Sequence, residues 1–354
     1  MTERAVIYGF EGPALIDAET EFFREVNPWG YIVFARNIET PDQLLKLTDA
    51  LRELSGREDV PILIDQEGGR VARLRGPQWR AAPPGAVFGE AWARDPETAR
   101  EATWLNSRLL ALELKASGIN VDCVPMLDIR APGSNDVVIG DRAYSGDPHV
   151  VSVLGRAAAE GLLAGGVLPV IKHLPGHGRA RIDSHEGLPV VDASLEALEQ
   201  TDFVPFRALG DLPIGMTGHL IFTALDDKVP STLSKRVIDE AIRSDAPGRI
   251  GFDGLLMTDD LSMGALQGNF KERARASLAA GCDMVLVCNS PEGRAEVLEN
   301  CSSLDNPASH ARLVRMHGKH KMSWSQLRQT TEWRDAVKLI TEYDIDPLLN
   351  MDFE

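Results

Sequence analysis

Short apolar runs alternate with longer amphipathic stretches along this chain. Pro61-Ile62-Leu63-Ile64 and Met284-Val285-Leu286-Val287 contain no polar position. A strand with one face in water alternates apolar and polar residues. A strand covered on both faces does not, and parallel sheets sheathed by helices are built from that second kind. On this basis strands are predicted over residues 5–9, 30–35, 61–64, 120–127, 168–172, 213–217, 254–258 and 283–288. The intervening stretches read as helices. In 98–116, Leu105, Leu109, Leu112 and Ala116 recur at helical spacing. One junction repeats: Ala116-Ser117-Gly118-Ile119, Ala164-Gly165-Gly166-Val167, Ala208-Leu209-Gly210-Asp211 and Ala279-Ala280-Gly281-Cys282. Each reads as a helix that ends on a left-handed glycine before a strand begins.

Eight such strands favour an α/β fold of the (β/α)8 barrel type over an open sheet. The polar residues strengthen that choice, because they gather at many strand ends: Asp65, Asp128, Lys172, His173, His219, Asp259 and Asn289. An open sheet concentrates its site at one switch point, whereas a barrel draws on many strand ends. No Pro/Gly/Ser-rich linker divides the chain. The expected layout is a catalytic barrel over 1–305 and a C-terminal helical extension and tail over 306–354, patternless after Tyr343.

Composition narrows the class of partner. Of 354 residues, 44% are hydrophobic and 25% charged, and the net charge of −16 comes with no basic, aromatic-interleaved patch. That argues against nucleic acid and against an anionic membrane surface. Met1-Thr2-Glu3-Arg4 does not open a signal peptide, and no apolar stretch is long enough to span a bilayer. The four cysteines lack CxxC spacing and read as structural thiols. A cytoplasmic, soluble monomer is expected.

The densest chemistry lies in Lys172-His173-Leu174-Pro175-Gly176-His177-Gly178, followed by Asp183-Ser184-His185. Asp183 is close enough to His185 in sequence to orient its ring and stabilise the charged form, which makes a general acid/base. Asp65-Gln66-Glu67-Gly68-Gly69-Arg70 leaves a strand into a glycine turn; it reads either as a solvated loop or as a carboxylate that accepts substrate hydroxyls, with Arg73 an added donor. Its glycines do not have phosphate-loop spacing. Met257-Thr258-Asp259-Asp260-Leu261-Ser262-Met263 sets two carboxylates at a strand end. Successive strand residues face opposite ways, so at most one points into a barrel mouth; the bland alternative is a pair of helix-capping aspartates. Arg142 would clamp a substrate or bridge to an acidic residue. His173, His177, Asp183, His185 and His219 are also of metal-ligand type, but Pro175-Gly176 interrupts the spacing that a helical histidine pair needs. No metal and no cofactor are expected.

Taken together, the Asp65–Arg70 stretch, the Lys-His-x-Pro-Gly-His-Gly run, the Asp-Ser-His triplet and Thr258-Asp259-Asp260-Leu261-Ser262-Met263 resemble glycoside hydrolase family 3. The likeness is to its single-domain bacterial β-N-acetylglucosaminidases of peptidoglycan recycling, and it runs from residue 5 to about 300 in family order. The resemblance implies a (β/α)8 barrel with Asp259 as nucleophile, His185 as acid/base and Asp183 as its partner. Asp65, Arg73, Arg142, Lys172 and His173 would grip N-acetylglucosamine. It also implies a mobile loop around Asp183 and His185, which Gly176, Gly178 and Gly187 would suit. Leu174 departs from the family's usual aromatic. The implied substrate is a small carbohydrate of anhydro-muropeptide type, hydrolysed with retention. The rivals are a phosphorylase or broader β-glycosidase of the same family, a metal-dependent barrel hydrolase, and a catalytically silent sugar-binding barrel.

Overall fold

A computed structural model describes residues 3–184, 186–298, 301, 329–331, 333, 334 and 337. Ten strands lie among the described residues: β1 (Arg4–Tyr8), β2 (Pro28–Val33), β3 (Ile62–Ile64), β4 (Val121–Asp122), β5 (Leu168–Leu174), β6 (Val190–Val191), β7 (Ile214–Thr217), β8 (Ile221–Phe222), β9 (Leu255–Asp260) and β10 (Met284–Val287). Eight of them close into a barrel in the order β1-β10-β9-β7-β5-β4-β3-β2, and every neighbouring pair is parallel. This is the (β/α)8 architecture expected from the apolar runs.

Both faces of the strands are buried, each against a different partner. Ile7, Ile32, Leu63, Met257 and Leu286 pack together inside the barrel. Their chain neighbours Val6, Tyr31, Val33, Ile62, Ile64 and Val285 pack outward against Leu44, Leu47, Leu110 and Leu114 of the surrounding helices. Burial on alternate faces removes the polar positions, so the strands read as continuous apolar runs.

The helix Pro96–Ala116 starts on Asp95, whose carboxylate accepts the backbone N–H of Glu97, with proline in the first turn. Left-handed glycines follow three of the four predicted junctions, at Gly118, Gly166 and Gly281. The fourth, at Gly210, differs: the helix Phe203–Ala208 ends there with Leu209 as its cap and no left-handed residue.

The strand expected over 120–127 is regular only at Val121–Asp122. Beyond it the chain still runs beside β5, with Val170 N–H donating to the Val124 carbonyl at 3.0 Å and Leu127 N–H to the Lys172 carbonyl at 2.7 Å. Pro125 has no N–H to give and interrupts the ladder. Strands β5 and β9 run two residues further than expected, to Leu174 and Asp260. The parallel pair β6–β8 forms a separate small sheet, too short to leave a periodic signal. Of the C-terminal extension, Trp333 is buried against Leu105, Leu109 and Ala116; most of 306–354 lies outside the described residues. Among the described residues no helix is long and apolar enough to cross a membrane.

Candidate active site

A cavity of about 340 Å³ opens at the C-terminal ends of the barrel strands, where barrels assemble their chemistry. Asp65, Arg73, Arg142, Lys172, His173, Asp183 and Asp259 all line it, so seven of the eight residues singled out from sequence converge there. The eighth, His185, lies outside the described residues.

One edge of the cavity is a closed set of ion pairs. Asp65, just after β3, receives Lys172 Nζ at 2.8 Å and Arg73 Nη2 at 3.2 Å. Lys172, on β5 and 2% exposed, also reaches Glu67 Oε1 at 2.7 Å. Arg142 meets Glu67 through two bonds, at 2.8 and 2.7 Å. Of its two sequence readings, the bridge to an acidic residue is therefore the one the geometry contains. Gln66 shapes this loop: its side-chain oxygen accepts the backbone N–H groups of Arg73 and Leu74 at 2.8 and 3.0 Å. That fold-back returns Arg73 to Asp65. Gly68, at φ +101°, has no room for a side chain, since a Cβ would lie 2.3 Å from the Pro83 carbonyl oxygen. Burial opposes ionisation of Asp65 and Glu67, but Lys172 and Arg73 at the first and Arg142 and Lys172 at the second outweigh it. Both carboxyls are held below the usual carboxylate range. Lys172 is raised in turn: burial works against its charge and the two carboxylates override it.

Beside Lys172 the chain passes through a cis peptide bond to His173, and both side chains line the cavity. His173 Nδ1 meets Asp128 Oδ2 at 2.6 Å, while Asp128 Oδ1 accepts the His177 backbone N–H at 2.5 Å. His177 Nε2 lies 3.3 Å from the hydroxyl of Ser184, between Asp183 and His185 in sequence. Burial, and then the neighbouring His173, push His177 down to about 4, so it is neutral at ordinary pH. Gly176 and Gly178 are explained by close packing: a Cβ on Gly178 would lie 2.0 Å from the Ile129 carbonyl oxygen, and Gly176 sits at φ +142° against Asp202.

The two carboxylates of β9 are unlike. Asp260 accepts the N–H of Ser262 and of Cys288 at 3.0 Å each, the Asn289 amide at 3.0 Å, and the Ser262 hydroxyl. It clasps the ends of β9 and β10 together. Asp259 accepts one hydrogen bond among the described residues, from Asp260 N–H at 2.8 Å. Burial opposes its charge, yet His173 and His219 more than offset that, and its carboxyl is lowered. Behind it, His219 Nε2 lies 3.1 Å from the Asp260 carbonyl and Nδ1 2.8 Å from the Thr232 hydroxyl. A carbonyl only accepts, so Nε2 carries the proton. Burial lowers His219, against the opposing pull of Asp259.

Sequence reasoning assigned no role to Glu67, Asp128 or Asp260. Glu67 stood inside a quoted motif and Asp128 at a strand end, but their partners are 75 and 45 residues away, and no local spacing reveals such pairs. Among the described residues no three metal-ligand side chains gather as a cation site.

The glycosyl hydrolase family 3 N-terminal domain matches residues 17–316. A β-hexosaminidase from Alkalilimnicola ehrlichii is 40% identical over 347 residues, 97% of each chain. One from Thioalkalivibrio sulfidiphilus is 38% identical over 353 residues, 98% of each. Among solved structures, NagZ from Neisseria gonorrhoeae superposes with a TM-score of 0.86 at 32% identity in its complex with a zinc ion. At 31% identity, its complex with N-trifluoroacetyl-D-glucosamine gives the same score. Each match covers 97% of this chain and 98% of that one. With a family match over most of its length, and full-length β-hexosaminidase relatives at 38–40% identity, the chain belongs to glycosyl hydrolase family 3 and is a glycoside hydrolase of the β-hexosaminidase kind.

Proposed function

We propose that the enzyme releases terminal β-linked N-acetylglucosamine from peptidoglycan fragments of anhydro-muropeptide type, in the cytoplasm, with retention of configuration. The observation that carries this reading is the state of Asp259. It is a half-buried, ionised carboxylate at a strand end, on the wall of a sugar-sized cavity, with one hydrogen bond among the described residues. Asp260, by contrast, is taken up by four donors.

In this reading protonated His185, oriented by Asp183, gives its proton to the leaving oxygen while Asp259 attacks the anomeric carbon. The glycosidic bond breaks and an inverted glycosyl–enzyme forms. Neutral His185 then takes a proton from water, whose oxygen attacks the same carbon and releases Asp259, giving net retention. Most retaining glycosidases use two carboxylates about 5–5.5 Å apart; here a histidine does the work of one of them. His177 is unsuited to that task, because at about 4 it holds almost no proton to donate near neutrality. The paired cations around Asp65 would hold the sugar hydroxyls in place. The glucosamine derivative bound by the Neisseria relative supports a cavity that takes this sugar.

The test is turnover of an aryl β-N-acetylglucosaminide beside the matching β-glucoside, with the product anomer followed by NMR, with and without phosphate. The expected result is release of the β-anomer of N-acetylglucosamine, little action on the glucoside and no sugar phosphate. The zinc held by the Neisseria relative motivates a further arm: activity should survive dialysis against a strong chelator. An initial α-product, or loss on chelation with recovery on adding zinc, would overturn the reading.

A further inference from the structure

We propose that Asp128 is a positioning residue whose one carboxylate holds both His173, facing the sugar, and the loop that carries Asp183. This rests on the acid/base reading above and extends it to a residue that does not itself line the cavity.

Asp128 has no exposed side-chain surface. One oxygen takes His173 Nδ1 at 2.6 Å. The other takes the His177 backbone N–H at 2.5 Å and lies 3.4 Å from the His173 N–H. A carboxylate accepts and never donates, so His173 Nδ1 must carry its proton inward, and the ring's other nitrogen is left for the cavity. His177, anchored by its backbone, extends its ring to Ser184 at 3.3 Å. Ser184 is tied in turn through its carbonyl to the Ala265 N–H at 3.0 Å. One path from the sugar-facing histidine to the segment that carries Asp183 and Ser184 thus passes through a single buried group, beside the direct contact of the His173 and His177 rings, whose centroids lie 5.5 Å apart. Only an ionised carboxylate can serve it. Asparagine has the same shape but one acceptor oxygen, so either His173 or His177 would meet an N–H instead.

The experiment uses the full chain and two aryl β-N-acetylglucosaminides, one with an activated dinitrophenyl leaving group and one with phenyl. Four variants are compared: Asp128→Asn, Ser184→Ala, the double variant, and His185→Ala. Melting temperature is followed in each. Asp128→Asn is expected to raise KM on both substrates through His173. It should also widen the ratio of kcat/KM between activated and phenyl substrates about tenfold, a fraction of what a general acid supplies. Ser184→Ala should widen that ratio with little change in KM. The double variant should widen it no further than Asp128→Asn alone, because the two act along one path.

A common loss on both substrates at unchanged KM would make Asp128 merely structural and overturn the proposal, as would ratio effects that multiply in the double variant. Should Asp128→Asn not fold, Ser184→Ala still decides: an unmoved ratio there overturns the coupling. An unmoved ratio in His185→Ala overturns the acid/base assignment and the coupling with it. A widened ratio in His185→Ala beside an unmoved one in Asp128→Asn overturns the coupling alone.

Discussion

At the β3–β5 edge of the cavity Asp65, Glu67, Lys172, Arg73 and Arg142 close into a set of ion pairs. At the β9 edge Asp259 keeps, among the described residues, a single backbone hydrogen bond. In the proposed reading the contrast separates two tasks that charged groups perform in one pocket. Groups that hold a substrate gain from being fixed in advance, and partners on every side fix them. A group that must form a bond needs unspent lone pairs, and its charge has to be kept by neighbours that do not block it. His173 and His219 do this for Asp259 at a distance, and Asp260 absorbs the local donors that would otherwise occupy it.

The sharpest way to break this contrast is to exchange the two aspartates' fates. Asp259→Ala should fold normally and lose activity on the order of 10⁴-fold or more, the scale of removing a nucleophile. Asp260→Ala should do the reverse, with a lowered melting temperature and a smaller loss of turnover, since it removes hydrogen bonds to a charged group worth about 1.5–3 kcal/mol each. Equal kinetic losses in the two variants would mean that the edges do not divide the work as described.

A second test addresses the paired edge. Glu67→Gln keeps the shape but leaves Lys172 and Arg142 one anion short inside the protein. Breaking a buried pair in this way costs about 3 kcal/mol or more. Urea unfolding should show that loss, and KM should rise more than kcat falls. A variant as stable as the parent would show that the pairs are not needed to hold Lys172.

The third and smallest effect has the opposite sign. Asp122, on β4, is the exception on the paired edge: it is fully buried and one oxygen has no partner among the described residues. Burial raises its carboxyl well above the usual range, with Asp65 and Glu67 adding to the rise and Gln66 and Lys172 opposing it. A group raised on folding contributes fully below its unfolded value of about 4, and its contribution falls as pH climbs toward the folded value. Asp122→Asn should therefore be neutral or slightly stabilising at neutral pH, with the gain vanishing below about pH 4. A gain that grew on acidification would refute this account.

The sequence showed the barrel because its strands are buried twice over, and double burial leaves apolar runs such as those of β3 and β10. It overstated the strand at 120–127, where apolar residues continue past a proline that cannot donate to the ladder. It missed β6 and β8, whose two-residue length carries no period. At the cavity, the titratable clusters were visible because they lie at strand ends. The partners that fix them were not, because the Glu67–Arg142 and Asp128–His173 pairs exist only once the barrel has closed.

The four cysteines, all free and buried, have a use beyond packing. Burial pushes Cys301 up to about 12 and raises the other three thiols as well. None is a thiolate in the native fold, so a disulfide reagent can react only while some part of the molecule stands open. The labelling rate of each site then reads the free energy of the opening that exposes it. Cys123 and Cys288 belong to the barrel interior, while Cys301 packs with Val297 on the helical side. One shared slow rate would mean that barrel and helices open as a unit. Faster reaction at Cys301 would show the helical shell parting from a barrel that stays shut.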